Sequence, residues 1–308
     1  MTLPSSIANL RQLFDGFNPP ADERAIAKLQ TTLGPLPADV LDLYRNHDGQ
    51  AELPFRDDTW LSCRLVPIAE AIKMNEQCAW FVEGTPALGK ITLLWTDDNS
   101  NYLGVYTTGE LTSWLTVLNH EEPILVPAYR SAGAFYDRLV STIPGLATED
   151  DCAYDLTMVP RELPMIIDDP QHVTDDRSLA TSFRDRYERE PDADMRRLYA
   201  MCAMCLTPAA DTESLLPFLR DPDMWSPASA VTVLGLRGFT AAVDELERLA
   251  RDGGANGDSA AMRELVRMDT NAARSAIARL KSSLSGQKLQ VLEQWTEPRS
   301  LLHPPRWP

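Results

Sequence analysis

The sequence predicts two parts: an α+β N-terminal domain, with an antiparallel sheet flanked by helices, followed by an all-α helical-repeat domain. Three observations carry this. Residues 90–118 hold three β-branched and aromatic runs separated by Asp, Asn and Gly turns, the pattern of consecutive antiparallel strands. After Ser178 the pattern changes to amphipathic helix pairs, with first helices starting near Ser178, Thr212, Thr240 and Asn271, in steps of 34, 28 and 31 residues. Between these regions, residues 148–176 carry nine acids, one base (Arg161) and three prolines, which reads as a connector. The expected boundaries are therefore 1–147, an acidic connector over 148–176, helical repeats over 177–296, and a Pro-rich tail over 297–308.

In chain order, Asp22 is placed to cap a helix through Glu23–Gly34 that presents Ile26, Leu29 and Leu33 on one face. Pro37 suits the first turn of a second helix, which should bury Val40, Leu41 and Tyr44 and end at Asp48-Gly49. His47, at that helix's C-terminus, is expected to gain from the dipole as a cation. The runs KITLLWTDD, NYLGVYTT and ELTSWLTVL are the strands, and a helix through AGAFYDRLVSTI should cover one sheet face. In the repeats, second helices run through DADMRRLYAMCAMCL, SPASAVTVLGLRG and DSAAMRELVRM, with Asp192, Asp211 and Asp258 as caps and Pro227 in a first turn.

The charge balance narrows the function. Forty-five acids against 29 bases leave a net charge of −16, and residues 1–150 hold 20 acids and 10 bases of that balance. Nucleic acid and anionic membrane both demand a basic footprint, so neither is expected as a ligand. The opening MTLPSSIANLRQLFDGF lacks a basic segment followed by an apolar one, and no run nears the ~18 apolar residues of a membrane span. Five unevenly spread cysteines fit a reducing compartment, so a cytoplasmic location is expected.

Several motifs have plainer readings than they first suggest. Gly84 to Thr92, GTPALGKIT, has P-loop spacing, but Ile91 stands where the magnesium-binding hydroxyl belongs and a strand former follows. It is read as a turn. Cys202 and Cys205 share a helix face and lack a second ligand pair, so core packing is expected rather than zinc or redox chemistry. His47, His120, His172 and His303 show no metalloprotease spacing, and no nucleophile elbow accompanies them. No enzymatic activity, cofactor, metal or small-molecule substrate is expected. The acidic pairs Asp57-Asp58, Asp97-Asp98, Glu121-Glu122 and Asp150-Asp151 read as solvated loop charges or as a docking surface for a basic protein.

The run Leu33-Gly34-Pro35-Leu36-Pro37, then Tyr44 and Asn46-His47-Asp48-Gly49, resembles the helix–Leu-Pro–helix–Asn-Gly opening of the SUKH superfamily. Leu94 to Tyr102 followed by Gly104-Val105-Tyr106 is similar to that family's central strands, and Phe135, Tyr136 and Leu139 to its closing helix. His47-Asp48 departs from the small polar run usual before the glycine. The likeness covers roughly residues 20–143. The C-terminal helices are similar to HEAT-like repeats, best in Leu215–Asp223 followed by Leu234-Gly235 and Gly238. The resemblance implies a non-enzymatic bacterial immunity protein that binds and occludes a cognate secreted toxin, with a basic toxin such as a nuclease suiting the acidic charge. An adaptor or regulatory scaffold without a toxin partner is the alternative; a hydrolase or transferase assembled from distant residues is a further one. On this reading Asp57, Asp58, Asp97 and Asp98 are rim charges, and Trp80, Asn101 and Tyr102 are contact residues, with Trp95 and Trp114 as further aromatic anchors or sheet core.

Overall fold

A computed structural model describes residues 3–52, 55–56, 59–60, 63–79, 88–120, 125–142 and 170–296. The chain divides into two compact units, residues 1–163 and 164–308. The fold is mixed α+β.

The first unit contains helices α1 (Leu3–Leu13), α2 (Glu23–Leu33), α3 (Ala38–Asn46), α4 (Ile68–Gln77) and α5 (Ala132–Thr142). Its strands are β1 (Phe55–Arg56), β2 (Thr59–Trp60), β3 (Arg64–Leu65), β4 (Ile91–Thr96), β5 (Tyr102–Tyr106) and β6 (Leu115–Leu118). Strands β1 and β2 form a small hairpin, and β3-β4-β5-β6 form a four-stranded antiparallel sheet in sequence order. The register sets Arg64 opposite Thr96, Thr96 opposite Tyr102, and Tyr102 opposite Leu118. The three expected strands are those of the meander, and β3 adds an edge that periodicity did not reveal.

Local chemistry explains the helices. The Asp22 carboxylate accepts from the Ala25 amide at 2.7 Å, and α2 buries Ile26, Leu29 and Leu33. Helix α3 buries Val40, Leu41, Leu43 and Tyr44, and the Tyr44 hydroxyl donates to the Val66 carbonyl at 3.0 Å. Gly49 then turns the chain with φ +65°, and a Cβ there would sit 2.4 Å from the Leu65 carbonyl oxygen. Only glycine fits this corner. The adjoining Asp48 accepts from the Ile68 amide at 2.8 Å, so the start of α4 is capped from 20 residues upstream. Helix α5 closes over the sheet, where Trp95 donates through Nε1 to the Tyr136 hydroxyl at 3.2 Å and meets Phe135 edge-on.

His47 is not the charged helix cap that its position suggested. The residue is wholly buried against Phe17, and neither ring nitrogen has a hydrogen-bond partner. Burial, and then the nearby Arg11 charge, push its pKa down to about 4. The imidazole is neutral, and its backbone amide, not its ring, bonds the Leu43 carbonyl.

In the second unit every described element is helical: α6 (Val173–Arg189), α7 (Ala193–Leu206), a 3-10 helix (Ala209–Arg220), α8 (Ser226–Leu236), a 3-10 turn (Thr240–Ala242) leading into α9 (Val243–Asp252), α10 (Ala255–Met268), α11 (Asn271–Ser283) and α12 (Gly286–Thr296). They pack as consecutive pairs, and α8, α10 and α12 stack on one another. Helix α6 begins five residues earlier than expected, so Val173–Asp176 belong to a helix and not to a connector. Asp175 and Asp176 occupy its first turn, where a run of acids favours the positive end of the helix dipole. Residues 148–169 of the expected connector, and the tail 297–308, lie outside the described residues.

Asp192 does cap α7, accepting from the Met195 amide at 2.9 Å. Asp211 and Asp258 do not cap. Their carboxylates bond Arg177 at 2.6 Å and Lys288 at 3.0 Å, each on an adjacent helix pair. Asp223 is the cap the sequence reading missed, receiving the Ser226 amide at 2.7 Å and its hydroxyl at 2.8 Å. Glu247 bonds Arg279 in the same pair-to-pair manner, and Arg220 bonds Glu245. Gly235 makes room for the next pair, because a Cβ there would meet the Glu264 carboxylate at 2.3 Å.

Candidate functional site

The described candidate residues gather at one end of the sheet, in the β4–β5 turn. Asp97 is 2% exposed. One of its oxygens accepts the amides of Asn99 (2.8 Å) and Asn101 (3.0 Å), and the other accepts the Asn101 side-chain amide at 2.7 Å. Asn101 is also fully buried, and its carbonyl oxygen receives the His120 amide at 3.0 Å from the end of β6. Asp97 and Asn101 therefore brace the turn from inside, where a rim charge and a contact residue had been expected. Between them Asp98 and Ser100 adopt positive φ, +57° and +67°, an uncommon backbone for such residues that the bracket holds in place.

Asp98 remains at the surface, but its carboxylate faces Arg64. Arg64 is 6% exposed, and its guanidinium places all five of its N–H groups. Two reach Asp98, at 2.9 and 2.8 Å; two reach Glu70, at 3.0 and 2.6 Å; the fifth reaches the Gln50 carbonyl at 2.8 Å. Burial alone would lower the Arg64 pKa, but the hydrogen bonds it donates to the Glu70 and Asp98 carboxylates outweigh it and hold the charge. Tyr102 is half-buried, its hydroxyl pushed up to about 12 by burial first and by the Cys78 hydrogen bond second.

Asp57, Asp58 and Trp80 lie outside the described residues. Trp95 and Trp114 are buried, Trp95 in the core and Trp114 beneath Arg130. Sequence reasoning missed Arg64, Glu70 and His120, which stand 34, 28 and 22 residues from Asp98 and share no local motif with it. Of the two cysteines expected to pack on a helix face, Cys202 is fully buried and Cys205 only partly so; burial, then Cys205, pushes the Cys202 thiol up. Among the described residues no cluster of three or more His, Cys, Asp or Glu is placed to hold a metal ion, and no helix is long and apolar enough to cross a membrane.

A scan against protein-family models and a search of curated proteins return no match for this chain.

Proposed function

We propose that the chain is a non-enzymatic bacterial immunity protein, acting in the cytoplasm, that binds a cognate secreted toxin and occludes it. The observation that carries this reading is the preorganisation of the β4–β5 turn. Asn99, Ser100 and the Asp98 edge stand exposed, with His120 beside them, and a buried network fixes them from behind. A rigid exposed turn binds without a large ordering cost, which suits a recognition element better than a mobile loop. The resemblance of residues 20–143 to the SUKH superfamily and the net charge of −16 support the same reading and favour a basic toxin.

The test uses the tagged full chain, purified from its native organism, with bound polypeptides identified by mass spectrometry. A captured secreted polypeptide that kills cells alone, and not when this chain is produced with it, is the expected result. Recovery of housekeeping enzymes only, or no protection, overturns the reading. One observation favours a second reading, an adaptor scaffold: Met224 and Trp225 are 56% and 43% exposed on a loop of the stacked helix pairs. A toxin gene beside this one separates immunity from scaffold.

A further inference from the structure

The turn that leads into α8 holds two large apolar side chains, Met224 and Trp225, out to solvent on a braced backbone. The Tyr187 hydroxyl donates to one Asp221 oxygen, and the other accepts the Asp223 amide at 2.7 Å. Asp223 accepts the Trp225 amide at 3.1 Å besides capping α8. Side chains presented this way bind without the cost of ordering a loop. Tryptophan is also a frequent interface anchor, and the methionine thioether adapts to varied apolar neighbours.

Two further turns stand beside this one. Tyr187 lies at the end of α6, which brings the α6–α7 turn alongside; a Cβ on Gly257 of α10 would lie 3.2 Å from Pro227, which brings the α9–α10 turn alongside as well. The C-termini of α6, the 3-10 helix and α9 meet the N-termini of α7, α8 and α10 here, so the dipoles offset and side chains set the potential. Residues 189–194, 220–225 and 251–254 hold six acids against three bases. Each base is taken by an acid outside these turns: Arg189 by Asp185, Arg220 by Glu245 and Arg251 by Glu247. Glu190, Asp192 and Asp223 instead accept backbone amides, which leave their charge in place. Further along α7, Arg196 and Arg197 are half-buried, and Arg197 faces Asp194 at 3.6 Å.

We propose that Met224, Trp225 and the acids around them dock a basic segment of a partner protein, in which Lys or Arg residues flank an apolar side chain. Trp225 attracts a cation in two ways, through the negative face of its indole and through the carboxylates near it. The apolar side chain of the segment covers Met224. An acidic segment would meet like charge, and an uncharged one would desolvate carboxylates without pairing them. This surface rests on the scaffold reading and gives that reading a partner of stated chemistry. It uses none of the β4–β5 turn, so its loss would leave the toxin reading untouched.

The test pans a phage-displayed library of random peptides, about 15 residues long, on the full chain and on its Trp225→Ser variant, then measures the consensus peptide by calorimetry. Peptides enriched on the wild type and not on the variant should combine an aromatic or long aliphatic residue with several Lys or Arg. Trp225→Ser should weaken the consensus peptide roughly tenfold or more, and Met224→Ser roughly threefold. Glu190→Gln with Asp252→Asn, which spares the caps Asp192 and Asp223, should weaken it and flatten its salt dependence between about 0.05 and 0.5 M. Circular dichroism checks that Trp225→Ser folds, and panning on Met224→Ser takes its place if it does not. The proposal is overturned if no enriched peptide depends on Trp225 or Met224, or if the enriched peptides are acidic or uncharged. It is also overturned if light scattering finds a dimer that Trp225→Ser abolishes, since a second copy of the chain would then be the occupant.

Discussion

Glu247 on α9 accepts two hydrogen bonds from Arg279 on α11, at 3.1 and 2.6 Å, across 32 residues of chain, which is one helix pair to the next. The two ends of this ion pair sit in different surroundings: the Glu247 side chain is 10% exposed and that of Arg279 is 54% exposed. Removing the acid leaves a guanidinium that water can solvate. Removing the base leaves a buried carboxylate with Arg251 alone. We therefore expect Arg279→Met to destabilise the chain more than Glu247→Gln, as measured by urea midpoints at neutral pH. The opposite order would show that the carboxylate is better hydrated than its burial suggests.

Gly49 and Gly16 form a matched pair for testing the corner after α3. Both have positive φ, +65° and +91°, but a Cβ on Gly16 meets nothing within 4 Å while one on Gly49 meets the Leu65 carbonyl oxygen at 2.4 Å. Gly16→Ala should cost only the backbone conformation, about 1 kcal/mol, and Gly49→Ala several times that by chemical denaturation. Equal costs would mean that the β3 backbone gives way freely.

These two sites also show what the sequence could and could not reveal. Asp22, the apolar face of α2, the α3 stop at Gly49 and the three-strand meander were legible because each is a local signal, a cap, a period or a turn. Helix α4 was not, because its cap, Asp48, comes from 20 residues upstream and replaces the local capping residue one would look for. The same reason hid Arg64. Its partners, Glu70 and Asp98, come from a helix and a turn that only the folded sheet brings together. Acidic residues were misassigned for a related reason: Asp97, Asp211 and Asp258 look alike in sequence, yet their carboxylates serve a turn bracket and two pair-to-pair bridges.

His47 gives a pH prediction with a definite sign. Its folded pKa, about 4, lies below the ordinary 6.5, so the unfolded chain takes up the proton first as pH falls. Stability from this residue is intact above pH ~6.5, declines as pH drops toward ~4, and levels off below that, by roughly 3 kcal/mol in all. His47→Leu should flatten urea-midpoint stability between pH 6.5 and 4 relative to the wild type. An unchanged slope would show that His47 takes up its proton at the same pH in the folded and the unfolded chain.

Asp97→Asn should loosen the β4–β5 turn. The substitution removes a charge that receives three N–H groups, and a buried bracket of this kind is worth on the order of 2 kcal/mol. Amide hydrogen exchange at Asn99 and Asn101 should accelerate while that in α2 stays unchanged. Uniform acceleration throughout the unit would mean global destabilisation instead.

Cys202→Ala with Cys205→Ala should cost about 1–2 kcal/mol of stability from lost packing, measured by denaturation, and leave partner binding intact. Stoichiometric zinc in the purified wild type, lost from the double variant, would overturn the packing role.

The bridges Arg177–Asp211, Arg220–Glu245, Glu247–Arg279 and Asp258–Lys288 each join one helix pair to its neighbour in sequence. Bridges that each join one pair to the next let load pulled along the stack be borne by one junction at a time. Stretched from its ends, it would give way in discrete steps of about one pair and re-close in the same steps, like a ratcheting spring rather than a solid block.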